Sequence, residues 1–167
     1  TFRVGGPARA LVEPGSAEDV KSVVEFCKSE QIPYYIVGNG SNLLVSDKGY
    51  DGVIIHLFKN MSAMRIEGNK VYVQAGALLS KVAVQAGRKG LTGMEFASGI
   101  PGTIGGALVM NAGAYGGEMK DVVRLVQVMC EDGSFREYTG AEMEFGYRTS
   151  RVLHEKSVAL EAVLELT

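Results

Sequence analysis

The chain has 167 residues, with 17 Lys plus Arg against 19 Asp plus Glu and a formal net charge of −2. A hydrophobic fraction of 46% and a charged fraction of 22% are typical of a soluble globular domain, and they exclude a disordered or fibrous chain. The balanced charge argues against nucleic acid, and no apolar run reaches the ~18 residues of a spanning helix, so we expect no membrane partner and a cytoplasmic location.

The first third of the sequence predicts a β-α-β unit. Residues 8–12 predict a strand, and Ser16 predicts a helix N-cap, with Asp19 completing a capping-box pattern. Apolar residues then recur at helical spacing as far as Cys27, so we expect an amphipathic helix. Residues 33–37 predict a second strand, which runs into a glycine-containing loop.

The remainder predicts mainly strands and hairpins. In chain order, the pattern favours a strand at 53–57, a hairpin of 64–66 with 71–74, a helix at 78–86, a hairpin of 122–130 with 135–138, a short helix capped by Thr139 and Glu142, and a closing strand at 157–166. Strands outnumber helices, so the predicted class is α+β. We expect two lobes that divide near residues 57–67, at 1–60 and 61–167.

The loop after the second predicted strand is Gly38, Asn39, Gly40, Ser41 and Asn42. Its glycines permit a positive φ and a close approach to the backbone, so the loop can cradle a phosphate; an ordinary glycine turn is the alternative. It is not a dinucleotide-binding fingerprint, because Leu43 stands where the third glycine belongs.

A second glycine-rich segment spans residues 98–107. Something must approach its bare backbone closely, either the other lobe or a flat or phosphorylated ligand. The candidate ligand contacts are Ser98, Gly99, Gly102, Thr103, Gly105, Gly106 and Ala107, and the same character continues through Asn111, Gly113, Ala114 and Tyr115.

A third candidate is Arg148, which follows Tyr147 and could donate two parallel hydrogen bonds to a carboxylate or phosphate, although a surface arginine is the simpler interpretation.

His56 and His154 are isolated, and we expect no metal site. Cys27 and Cys130 lack the spacing of a metal or redox pair, so we expect inert core thiols.

Four segments occur in a fixed order: residues 1–8 (TFRVGGPA), 38–44 (GNGSNLL), 98–117 and 146–150 (GYRTS). Together they closely resemble the UDP-N-acetylenolpyruvoylglucosamine reductase family of bacterial peptidoglycan synthesis. The resemblance spans essentially the whole chain. It implies a two-lobed FAD-binding domain of the vanillyl-alcohol-oxidase type, with noncovalent FAD between the lobes.

By this resemblance, residues 38–42 would receive the FAD pyrophosphate, and residues 98–107 would line the flavin. NADPH would be the reductant and UDP-N-acetylglucosamine enolpyruvate the substrate, which receives a hydride at C3 and a proton at C2. Arg148 matches the family's arginine, whose cation would stabilise negative charge on the substrate carboxylate.

The family's proton-donating serine and catalytic glutamate belong to a further substrate-binding domain that is not in these 167 residues. We therefore expect a fragment that binds FAD at best and turns over poorly. The alternatives are an FAD-binding domain of another two-lobed flavin dehydrogenase, and a noncatalytic nucleotide-binding module.

Overall fold

The computed structural model describes residues 4–167, so Thr1, Phe2 and Arg3 of the first motif lie outside the described residues. The first third of the chain builds a three-stranded parallel sheet and one long helix. In chain order these elements are β1 (Ala8–Val12), α1 (Ala17–Ser29), β2 (Tyr34–Val37) and β3 (Tyr50–His56). The strand order is β1-β3-β2, which leaves β2 at an edge.

Helix α1 begins where the sequence predicts. Ser16 Oγ accepts a hydrogen bond from the Asp19 N–H at 3.1 Å, which confirms the N-cap. The Asp19 carboxylate accepts from the Gly15 N–H at 3.0 Å, one residue earlier than a capping box requires. The Cys27 thiol is fully buried on the inner face of α1, and burial raises its pKa, as expected of an inert core thiol.

The rest of the chain builds an antiparallel sheet with helices on one face. Its elements are β4 (Met64–Glu67), β5 (Lys70–Gln74), α2 (Leu79–Arg88), a 3-10 turn (Glu95–Ala97), α3 (Ile104–Met110), β6 (Gly113–Ala114), β7 (Gly117–Glu118), α4 (Met119–Val122), β8 (Val123–Met129), β9 (Phe135–Thr139), α5 (Arg151–His154) and β10 (Val158–Glu165). The order of the five-stranded sheet is β4-β5-β10-β8-β9, and the predicted α+β class is confirmed.

The short helix predicted after Thr139 is wrong. The Thr139 N–H donates to the Glu142 carboxylate at 2.8 Å, and the Glu142 N–H donates to Thr139 Oγ1 at 3.3 Å, so the predicted capping contacts form. Residues 140–144 nevertheless form only a turn, because the chain enters the left-handed region at Glu144, where φ is 49°. The short helix of this region is α5, which begins at Arg151.

Two apolar clusters hold the sheets together. The larger lies between the five-stranded sheet and helices α2 and α3. The smaller joins Val20, Val24 and Cys27 of α1 to Ile55 of β3 and to Leu160 of β10, so residues of both sheets share it. The sheets divide between residues 56 and 64, and a domain boundary at 60/61 stays a prediction.

Within residues 4–167, no helix is long and apolar enough to cross a membrane. The same residues contain no group of three or more His, Cys, Asp or Glu side chains placed to hold a metal ion.

Candidate functional site

A cleft of about 450 Å³ opens where the carboxyl end of β2 faces the start of α3. Ligands of parallel sheets bind at this end of the strands. The walls are residues 35–43 from β2 and its loop, 100–103 and 105–107 from the second glycine-rich segment, Val109, Met110 and Ala112 beyond it, Leu57, Ala75 and Leu79 from the floor, and Arg148, Ser157, Val158 and Ala159 from the C-terminal part. The volume is within the range of roughly 300–1,000 Å³ that small-molecule sites occupy.

The loop of residues 38–42 offers a row of backbone donors to the cleft. Within the described part of the chain, none of its five N–H groups donates to another protein group. Gly40 has a φ of +70°, a conformation that glycine adopts without strain, and the space around its absent Cβ is open apart from one contact at 4.0 Å with Val37. Consecutive free N–H groups in such a turn form an anion-binding concavity.

The two glycine-rich segments contact each other directly. A Cβ on Gly38 would lie 2.2 Å from Thr103 Oγ1, so only glycine fits where β2 ends against the start of α3. Ser41 Oγ donates to the Pro101 carbonyl at 3.2 Å, which ties the loop to the second segment. Sequence motifs that are 60 residues apart therefore form one continuous wall.

The glycines of the second segment serve different purposes. Gly105 packs against β5: its N–H donates to the Ala75 carbonyl at 2.8 Å, and an added Cβ would lie 3.0 Å from the Ala75 Cβ. Gly106 has space instead, because an added Cβ would meet only Thr103 Oγ1, at 3.8 Å. Both line the cleft, but only Gly106 leaves room for an atom to approach.

Arg148 enters the cleft from a tight turn. The Gly146 and Thr149 backbones pair at 3.1 and 3.4 Å, which places Tyr147 and Arg148 at the tip. Arg148 has a φ of 54°, an uncommon conformation for a residue other than glycine.

Arg148 supplies the charge of the site. Among the described residues that line the cleft, it is the only one with a charged side chain. Nearby carboxylates are engaged elsewhere, since Glu144 pairs with Arg151 and Glu118 pairs with Lys120, whose pKa that contact raises. Arg148 forms no ion pair within residues 4–167, so its guanidinium is available to an anion.

Six predicted contacts lie outside the cleft walls, and one of them, Tyr115, is fully exposed. Ser98 bonds the Glu95 carbonyl at 2.8 Å, and the space around Gly99 is open. Gly113 lies in the β6–β7 hairpin with Ala114, where an added Cβ would be 2.7 Å from the Gly117 carbonyl oxygen. Asn111 is buried and bonded to protein groups. The role of these six residues in binding stays a prediction.

Several apolar wall residues are missing from the predicted ligand contacts, although some of them lie inside the 98–117 segment. They are Tyr35, Ile36, Val37, Leu57, Ala75, Leu79, Ile100, Val109, Met110, Val158 and Ala159. Their shared signal is position, because most lie in or next to a predicted strand or helix that ends at the cleft. The two histidines lie elsewhere, with His56 bonded to Glu13 at 3.2 Å and His154 to Thr149 at 2.8 Å.

The cleft fits a nucleotide cofactor with a flat ring. Its walls are mainly apolar, its glycines leave room for close approach, and a row of free N–H groups provides a phosphate site. The hydroxyl of Ser157, which lines the cleft, is also buried without a hydrogen-bond partner within residues 4–167.

Comparison with known proteins is consistent with this geometry. The sequence profile of a family described as FAD binding domain matches residues 8–139. Curated proteins named UDP-N-acetylenolpyruvoylglucosamine reductase are 50% identical over 99% of this chain in Alkaliphilus metalliredigens and 51% identical over 99% in Clostridioides difficile. The chain spans 55% of the length of each of these relatives.

Solved structures show the same similarity. The crystal structure of UDP-N-acetylenolpyruvylglucosamine reductase from Thermus caldophilus has a TM-score of 0.81 at 38% identity, covering 98% of this chain and 57% of that one. A solvent-stable cholesterol oxidase has a TM-score of 0.74 at 20% identity, covering 94% of this chain and 34% of that one, which is a likeness of fold alone. The predicted two-lobed FAD-binding fold of the vanillyl-alcohol-oxidase type is confirmed.

Proposed function

The chain belongs to the FAD binding domain family, and we propose that it is the flavin-binding part of a UDP-N-acetylenolpyruvoylglucosamine reductase. The proposed reaction reduces UDP-N-acetylglucosamine enolpyruvate to UDP-N-acetylmuramate with NADPH. Support comes from reductases of that name that are 50% and 51% identical across nearly the whole chain. The two free cysteines agree with the reducing cytoplasm as its location.

The observation that carries the proposal is the composition of the cleft wall. A row of free N–H groups at residues 38–42 and a single unpaired cation at Arg148 line a cleft with no other charged side chain among the described residues. This arrangement suits one ligand with a phosphate group and a second ligand with a carboxylate.

Residues of both glycine-rich segments would hold the cofactor. The N–H groups of Gly38, Asn39, Gly40, Ser41 and Asn42 would donate to the pyrophosphate, and Gly102, Thr103, Gly106 and Ala107 would form the wall against the ring. Gly105 would hold that wall on β5 through its bond to Ala75. Bound FAD would supply hydride transfer, accepting from NADPH and donating to the enolpyruvyl group.

Arg148 would stabilise the charge that develops on the substrate carboxylate. Hydride addition to an enolpyruvyl ether moves negative charge into that carboxylate, and a fixed cation lowers the barrier most where charge accumulates. A planar guanidinium can donate two parallel N–H bonds to both oxygens, which an ammonium group cannot reproduce.

The test is Arg148→Lys in a full-length protein that carries this chain, with each half-reaction followed by stopped flow. We expect the rate of enolpyruvyl reduction to fall by ~10² or more, an estimate from the loss of one preorganised donor. The rate of NADPH oxidation should change much less, because that step places no charge on the enolpyruvyl carboxylate. An equal loss in both rates, or a wild-type protein that does not reduce the enolpyruvyl substrate, would contradict the proposal.

A further inference from the structure

Asn111 lies at a junction of three segments beside the cleft. It is the C-cap of α3, with φ 43° and ψ 54°, and the residue is 5% exposed. Each polar atom of its carboxamide is occupied: Oδ1 accepts from the Lys120 N–H at 3.0 Å, and Nδ2 donates to Glu118 and to the Gly146 carbonyl, the latter at 3.1 Å.

The bond to Gly146 connects the cleft wall to the arginine. Gly146 opens the turn whose tip carries Arg148, and the turn closes at Thr149. Helix α3, which Asn111 ends, provides Gly106 and Ala107 to the cleft. Asn111 is therefore a direct bridge between the wall of the cleft and the base of the turn that presents the cation.

The turn has few other attachments to α3. Ser150, immediately after the turn, is fully buried, and its hydroxyl donates to the Val109 carbonyl at 3.0 Å. Because Arg148 itself forms no hydrogen bond or ion pair within the described residues, its position depends on the backbone of the turn. The turn is held at one end by Asn111 and at the other by Ser150.

We propose that Asn111 is a positioning residue for Arg148: its carboxamide fixes the turn so that the guanidinium meets the substrate carboxylate. This inference rests on the proposed function of Arg148. Positioning matters because a misplacement of about 1 Å at a charge-stabilising group costs roughly 10² in rate. Because its carboxamide is fully engaged by protein groups, Asn111 would act on the substrate step through Arg148 rather than as a direct ligand contact.

The variant that isolates the carboxamide is Asn111→Gly. Glycine retains the left-handed backbone of the C-cap without strain, so the substitution removes the side-chain bonds and leaves the helix end intact. Asn60→Ala is the matched control, because Asn60 Nδ2 donates to the Glu13 carbonyl at 2.8 Å, in a contact away from the cleft walls.

The first measurement is hydrogen exchange on the 167-residue chain. Asn111→Gly should speed exchange of the Gly146 and Thr149 amides at least about tenfold, while the amides of β8 and β10 and the FAD affinity stay within about twofold of wild type. Unchanged exchange at the turn would overturn the proposal. A tenfold loss of FAD affinity would also overturn it, since the carboxamide would then serve the cofactor. Neither readout requires turnover, so this test is independent of the proposed function.

The second measurement is a double-mutant cycle in a full-length protein that carries this chain. Asn111→Gly should lower the rate of enolpyruvyl reduction by about tenfold, with NADPH oxidation and the Asn60→Ala control unchanged. If Asn111 acts only through Arg148, the double variant with Arg148→Lys should be as slow as Arg148→Lys alone, within about twofold. Multiplicative losses would mean that the two residues act independently, and would contradict the positioning role. Failure of the proposed function would appear separately, as an inactive wild-type protein.

Discussion

Gly40 is the residue at which backbone conformation and ligand access coincide. Its φ of +70° and the open space around its absent Cβ mean that the fold alone requires only a left-handed conformation there. Gly68, in the β4–β5 hairpin, has a φ of +58° and no atom within 4 Å of an added Cβ. The two glycines thus have the same backbone requirement, but only Gly40 lines the cleft.

Replacing each of these glycines with alanine separates strain from binding. Both Gly40→Ala and Gly68→Ala should lower the free energy of unfolding by about 1 kcal/mol, the usual cost of a left-handed L-residue. Only Gly40→Ala should weaken FAD binding, by about tenfold or more, because its Cβ would stand among the donors to the pyrophosphate. Chemical denaturation and an FAD titration measure the two effects. Equal FAD affinity in the two variants would show that the loop does not bind the pyrophosphate.

The two adjacent glycines of helix α3 have different surroundings. Nothing in the sequence distinguishes Gly105 from Gly106, whereas in the structure Gly105 packs on Ala75 and Gly106 faces open space. The sequence also does not predict α3 as a helix, because each of two adjacent glycines destabilises a helix by roughly 1 kcal/mol relative to alanine. Tertiary contacts, such as the 2.8 Å bond from the Gly105 N–H to Ala75, stabilise α3 instead.

Replacing the two glycines of α3 with alanine should change the free energy of unfolding in opposite directions. Gly106→Ala should raise the free energy of unfolding of the apoprotein by about 0.5–1 kcal/mol, through helix propensity, and should lower FAD affinity. Gly105→Ala should destabilise the apoprotein by about 1–3 kcal/mol, because its Cβ would press on the Ala75 Cβ at 3.0 Å. Thermal melts of the apoproteins give the signs. Destabilisation by Gly106→Ala would mean that this glycine also serves packing.

Other elements were predictable where one local rule decides the structure. Strand β1 occupies the predicted residues 8–12, and Ser16 caps α1, because the turn residues after the strand and the helix cap are local signals. The turn at Arg148 was not predictable, because its positive φ sits on a residue that disfavours it. Asn111 could be noticed in the sequence as a candidate residue. Its bond to Gly146 could not be predicted, because the two residues are 35 positions apart and no local pattern connects them.

At the scale of the whole molecule, the site exists because two sheets of different kinds meet. The parallel sheet delivers the 38–42 loop at the end of β2, and the antiparallel sheet, with α3 on its face, delivers the second wall. The apolar cluster that both sheets share, from Val20 in α1 to Leu160 in β10, packs the two sheets that carry these walls against each other. Cofactor binding is therefore a property of the assembled fold rather than of either motif.

The most direct test of this account is an isothermal titration of the purified 167-residue chain with FAD. We expect saturable binding of one FAD per chain, with ADP competing for the same site because it shares the pyrophosphate. Circular dichroism of the same sample establishes that the chain is folded. A folded chain that binds no FAD, or that binds FAD without competition from ADP, would contradict the assignment of the cleft.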